Sequence, residues 1–102
     1  MEIHKAENQT YAGKITTYLV NTDRIQGPIR VSIFNMSKEY AKETENKSPI
    51  ICMSVDVFTK NGWMSVVSQN DFSDEEVRDM IDNHHVIETV VQFLEKFFNC
   101  HV

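Results

Sequence analysis

The stretch PIICMSVDVFTKNGWMSVV, residues 49–67, decides the fold. After Pro49, the apolar residues Ile51, Met53, Val55 and Val57 alternate with Cys52, Ser54, Asp56 and Phe58. That period-two pattern marks a half-buried strand. Asn61-Gly62 then predicts a two-residue type I′ turn with both central residues at positive φ. A loop of that length fixes the register. It sets Lys60 against Trp63, Thr59 against Met64, Phe58 against Ser65, Val57 against Val66, Asp56 against Val67 and Val55 against Ser68. One face of this hairpin carries Val55, Val57, Met64 and Val66 and is read as core. The other carries Phe58, Trp63 and Val67 beside Asp56, Lys60 and Ser65.

Upstream, two more strands are legible. Thr10 to Val20 is rich in Tyr, Ile, Thr, Leu and Val, and Ile15 and Leu19 are assigned to its core face. Asn21 to Pro28 holds Asn-Thr-Asp and Gly-Pro, which favour turns. Ile29 to Met36 follows as a strand with Ile29, Val31 and Ile33 on one face. Ser37 to Ser48 is polar; it is either a short exposed helix over Lys38 to Glu45, capped by Ser37 and ended by Asn46, or a loop. Met1 to Gln9 has no apolar pattern and is expected to be a loosely held terminus.

Downstream, Phe72-Ser73-Asp74-Glu75-Glu76-Val77 is a capping box with a hydrophobic staple. From Val77 the apolar residues Met80, Ile81, Ile87, Val90, Val91, Leu94, Phe97 and Phe98 recur at helical spacing. A single helix from Asp74 to Asn99 would be about 39 Å long, too long for the short strands to cover. The poor helix formers Asp82-Asn83-His84-His85 predict a kink or break there. The fold class is therefore α+β: a four-stranded antiparallel sheet packed on one face by a C-terminal helix, as one domain over residues 1–102. The expected core is Ile15, Leu19, Val31, Ile33, Ile51, Met53, Val55, Val57, Met64, Val66, Val77, Ile81, Val91, Leu94 and Phe98.

The chain has 102 residues, with 15 acidic and 10 basic side chains and a formal charge of −5. That balance argues against direct nucleic-acid binding and against an anionic membrane surface, both of which call for a basic face. It suits a protein partner with a basic surface. No apolar run is long enough to span a membrane and no secretory leader is legible, so a cytoplasmic chain is expected. Cys52 and Cys100 are then read as free thiols.

Few residues suggest chemistry. Adjacent His84 and His85 on a helix point about 100° apart, so they cannot chelate one ion as an i, i+4 pair does. They are read as a solvated helix break, with proton transfer by one ring as the alternative. Cys100 and His101, with Cys52, His4, His84 and His85 elsewhere, lack the spacing of a zinc site. No metal and no cofactor is expected.

Two features point to binding instead. One is the acidic run Asp71, Asp74, Glu75, Glu76, Asp79 and Asp82, relieved only by Arg78. The helix dipole accounts for Asp74 to Glu76, but Asp79 and Asp82 lie beyond its reach. The other is the non-core face with Phe58, Trp63 and Val67, because aromatic residues dominate binding hot spots. The expected partner-binding set is Phe58, Trp63, Val67, Asp71, Asp74, Glu75, Asp79 and Asp82.

The function expected is that of a non-catalytic stoichiometric inhibitor occluding a basic site on a protein partner, such as a nucleic-acid-processing enzyme. Immunity proteins against nuclease toxins and phage anti-defence proteins such as anti-CRISPRs are similar in size and charge, without a shared motif. Alternatives are a homo-oligomeric regulatory module, dimeric through the aromatic face or the sheet edge, and a small enzyme using His84 or His85.

Overall fold

A computed structural model of the chain describes residues 1–45, 49–67 and 71–100, with the backbone alone at Asn99 and Cys100. Its elements are β1 (Glu2–Gln9), β2 (Gly13–Asn21), β3 (Ile29–Met36), α1 (Lys38–Glu43), β4 (Ile51–Thr59), β5 (Gly62–Val67), α2 (Asp74–Asp82) and α3 (Val86–Cys100). The strands form one antiparallel meander in the order β1-β2-β3-β4-β5. The fold is α+β, with five strands rather than four.

The added strand is β1, in the segment expected to be a loose terminus. Every residue of it is exposed, and it is held by backbone pairing to β2 from Glu2↔Asn21 to Gln9↔Lys14. A strand none of whose side chains joins the core leaves no hydrophobic periodicity to read.

Helices α2 and α3 cover one face of the sheet. Ile29, Val31 and Ile33 of β3 and Ile51, Met53, Val55 and Val57 of β4 meet Val77 and Met80 of α2 and Val86, Val90, Val91 and Leu94 of α3 in one core. Full burial of each such side chain contributes about 1.5–3 kcal/mol, so this layer holds the domain together. Three expected core residues lie elsewhere: Ile15, Leu19 and Met64 are 37%, 38% and 41% exposed. In β2 the register with β3 sets Tyr18 against Val31 and Val20 against Ile29, which turns Ile15 and Leu19 to the uncovered face. Met64 points to the helical side but lies on the outermost strand, past the helices' cover. Val66, Ile81 and Phe98 pack half-buried against the core.

The hairpin turn is centred one residue earlier than expected. Thr59 pairs with Gly62, the Thr59 hydroxyl accepts from the Asn61 N–H at 3.2 Å, and it donates to the Gly62 carbonyl at 2.9 Å. Positive φ falls on Gly62 (104°) and not on Asn61. A turn followed by a left-handed glycine replaces the type I′ turn. Trp63 moves two residues along β4, to Phe58, so faces are kept. A bulge then intervenes: Asp56 pairs with Ser65 but Val55 with Val67, leaving Val66 as the extra residue. The bulge turns Val67 onto the core face, where it is 1% exposed. Ser68, the expected partner of Val55, lies outside the described residues.

The helical segment breaks where expected. Its capping box is complete: the Glu76 N–H donates to Ser73 Oγ and the Ser73 N–H to Glu76 Oε1, both at 3.1 Å. At the other end of α2, His84 adopts φ +58°. Its N–H donates to the Ile81 carbonyl (3.2 Å) and the His85 N–H to the Met80 carbonyl (3.0 Å). These are the two bonds of a left-handed helix cap, with histidine where glycine is usual. Ser37 caps α1, accepting from the Tyr40 N–H at 3.1 Å. The helix ends at Glu43, and the expected end at Asn46 lies outside the described residues.

Candidate functional site

Helices on one side only leave the other face of the sheet in contact with solvent. Alternation sends Thr17, Leu19, Arg30, Ser32, Ser54, Asp56, Phe58, Trp63 and Ser65 to it. The register sets Leu19 against Arg30, Arg30 against Asp56 and Asp56 against Ser65 in one row across four strands. Phe58 and Trp63 stand opposite each other in the next.

This corner is built as a stack. The Phe58 and Trp63 ring centroids are 5.3 Å apart at 69°, an edge-on contact. The Arg30 guanidinium lies over the indole, Cζ 4.3 Å from its centroid. Arg30 Nη2 and Nε both donate to Asp56 Oδ2, at 3.0 and 3.2 Å. The carboxylate thus orients the guanidinium, and the guanidinium orients the indole. Phe58 and Trp63 nevertheless remain 46% and 41% exposed. Behind them, Gly27 passes close to Phe58: a Cβ there would lie 2.4 Å from the Phe58 carbonyl oxygen, and its φ is +94°. Only glycine lets the β2–β3 connection cross at that distance. Since the charges of Arg30 and Asp56 offset each other, what the corner offers a partner is apolar area with polar edges.

Of the expected binding residues, the structure brings Phe58 and Trp63 together and separates them from the rest. Val67 is buried in the core and cannot touch a partner. Asp74, Glu75, Asp79 and Asp82 are exposed on α2, which packs on the opposite side of β4; Asp71 precedes it. Asp79 also serves its own helix end. Its Oδ1 accepts from Asn83 Nδ2 at 2.8 Å, and Oδ2 lies 3.9 Å from His85 Nε2. Arg30 carries no sequence signal beyond its face, given by its place between Ile29 and Val31; its pairing with Asp56 depends on the β3–β4 register, which no turn in the sequence fixes.

The histidines are engaged in helix geometry. His84 is the exposed left-handed cap residue. The Thr89 hydroxyl donates to the His85 carbonyl at 2.8 Å, so the His85 Nδ1, 3.0 Å from Thr89 Oγ1, is the donor in that contact. The threonine proton is thereby committed to the backbone. Among the described residues no three His, Cys, Asp or Glu side chains cluster to hold a metal ion. Cys52 is a half-buried free thiol; Cys100 and His101 have no described side chains.

A concavity of about 800 Å³ opens at the end of the sheet, lined by Ile25, Val57 and Phe98 together with Arg24, Lys60 and Glu95. Arg24 Nε donates to Glu95 Oε1. That bond raises the guanidinium pKa and holds the Glu95 carboxyl below its ordinary range. No helix among the described residues is long and apolar enough to cross a membrane. Compared with family models, with curated proteins and with solved structures, the chain has no match.

Proposed function

We propose that this chain is a non-catalytic binding protein whose contact surface is the uncovered face of its sheet, centred on Trp63. The carrying observation is the stack Phe58–Trp63–Arg30–Asp56: two large aromatic rings held in fixed geometry yet about half exposed. Oriented aromatics flanked by arginine are the usual anchors of protein interfaces. The net charge of −5 favours a partner with a basic surface, while the carboxylates of α2, on the opposite side of the sheet, form no part of the contact. Occlusion of that partner's basic site, as an inhibitor does, is the reading most in keeping with a small acidic domain.

The test is capture from lysate of the source cells with wild-type chain, Trp63→Ala, and Asp74→Asn with Asp79→Asn. A protein with a basic surface should be retained by wild type and by the acidic double variant, whose changes lie away from the contact face, and lost with Trp63→Ala. Identical capture by wild type and Trp63→Ala, with circular dichroism showing both folded, sinks the proposal.

A further inference from the structure

The two edges of the sheet differ in kind. Over its eight residues β1 carries Glu2, His4, Lys5 and Glu7. Charged side chains on an edge keep a further strand away. Over Gly62–Val67, β5 carries no charge and no proline. Both its flanks are apolar and open, with Trp63 on one face of the sheet and Met64 on the other, each 41% exposed.

The backbone of β5 also has a readable polarity. The Phe58 N–H donates to the Pro28 carbonyl at 2.9 Å, so Phe58 directs its backbone groups toward β3. Its neighbours Val57 and Thr59 therefore face β5, and Met64, opposite Val57, faces back to β4. Trp63 and Ser65 are left with N–H and C=O aimed outward from the sheet.

We propose that β5 pairs antiparallel with β5 of a second copy of this chain, about a two-fold axis at Met64. In that register Trp63 lies opposite Ser65 of the second copy and Ser65 opposite its Trp63. Both are outward-facing positions, so four backbone hydrogen bonds form. Met64 meets Met64 at the close, non-hydrogen-bonded position, where a flexible thioether packs well. Moving the axis to Ser65 would set Trp63 against Val67, which the bulge turns inward to pair with Val55, so only the Ser65–Ser65 pair would keep its bonds. No charge of β5 meets its like across the axis, although each chain carries −5 overall. The outward-facing Trp63 and Ser65 lie symmetrically about Met64, so each copy meets its own donors and acceptors in matching register, which favours a second copy over a foreign strand. The result is one ten-stranded sheet whose uncovered face carries two Trp63 stacks.

Sedimentation and light scattering on the full chain, up to millimolar concentration, test it. The expected mass is twice the 11.9 kDa of one chain. Met64→Lys, which sets two ammonium groups at the axis, should return the mass to one chain with an unchanged circular dichroism spectrum; Lys5→Glu, on the other edge, should not. In the wild-type dimer the amides of Trp63 and Ser65 should be protected from deuterium exchange, a readout that does not depend on any variant folding. A single-chain mass at every concentration, a dimer that survives Met64→Lys, or a dimer with freely exchanging Trp63 and Ser65 amides overturns the proposal.

Discussion

The guanidinium of Arg30 is shared between two neighbours of opposite character: the face of the Trp63 indole, 4.3 Å from Cζ, and Asp56 Oδ2, 3.0 Å from Nη2. Arg30, Asp56 and Trp63 come from three successive strands, so this one side chain stitches the open face across β3, β4 and β5.

Arg30→Ala should cost about 0.5–1.5 kcal/mol in urea unfolding, from the lost cation–π contact and the unpaired Asp56. It should also shift the emission of Trp63, which is unambiguous because the chain has one tryptophan. Arg30→Lys should restore the charge but not the emission, since an ammonium lacks the planar stack. An unchanged emission in Arg30→Ala would show that the ring is not held by the guanidinium in solution.

Ser73→Ala removes the acceptor for the Glu76 N–H at the start of α2. The expected loss is about 0.5–2 kcal/mol of stability, measured by thermal or urea unfolding. Because the reciprocal bond comes from Glu76, Glu76→Ala should cost a part of the same sum, and the double variant less than both together.

His84→Gly should raise stability, by about 0.5–1 kcal/mol, because a non-glycine residue at φ +58° carries a steric penalty that glycine does not. The gain is reduced by the greater freedom of glycine in the unfolded chain. A loss of stability would mean that the His84 side chain makes a contact in solution that outweighs its backbone strain.

Acid should loosen β1 first. Hydrogen bonds from Lys5 and Lys14, with Nζ at 3.1 and 3.2 Å, hold the Glu7 carboxyl below its ordinary value of 4.5. A carboxyl with a depressed folded pKa adds stability that is complete above 4.5 and is lost as pH falls through the folded value. Exposed pairs of this kind are screened by salt. In low salt, exchange of β1 amides, corrected for the intrinsic pH dependence, should therefore quicken relative to β3 below that pH. Glu7→Gln should abolish the difference.

What the sequence disclosed followed from where the physics is local. The capping box, the strand alternation of β4 and the break after Asp82 depend on neighbours a few residues away, and each is present. Ile15, Leu19 and Met64 were misplaced because their burial depends on register and on how far the helices reach. In β2 both faces mix apolar with polar residues, so alternation alone could not choose between them. Val67 was misassigned through a bulge that leaves no mark in composition. At the candidate site, Phe58 and Trp63 were legible as a pair on one face, but Arg30 and Asp56, which orient them, became visible only with the strands aligned.

Because no side chain of β1 joins the core, its worth lies in what it screens. It occupies the backbone groups of β2, whose sequence Gly13–Asn21 is largely Ile, Thr, Tyr, Leu and Val. Without residues 1–9 the stretch Ile15–Val20 would become a bare edge without charge or proline, the composition from which intermolecular fibres grow. The N-terminal strand is thus a solubility device, and a truncated chain would fail first by aggregation during refolding rather than by loss of its core.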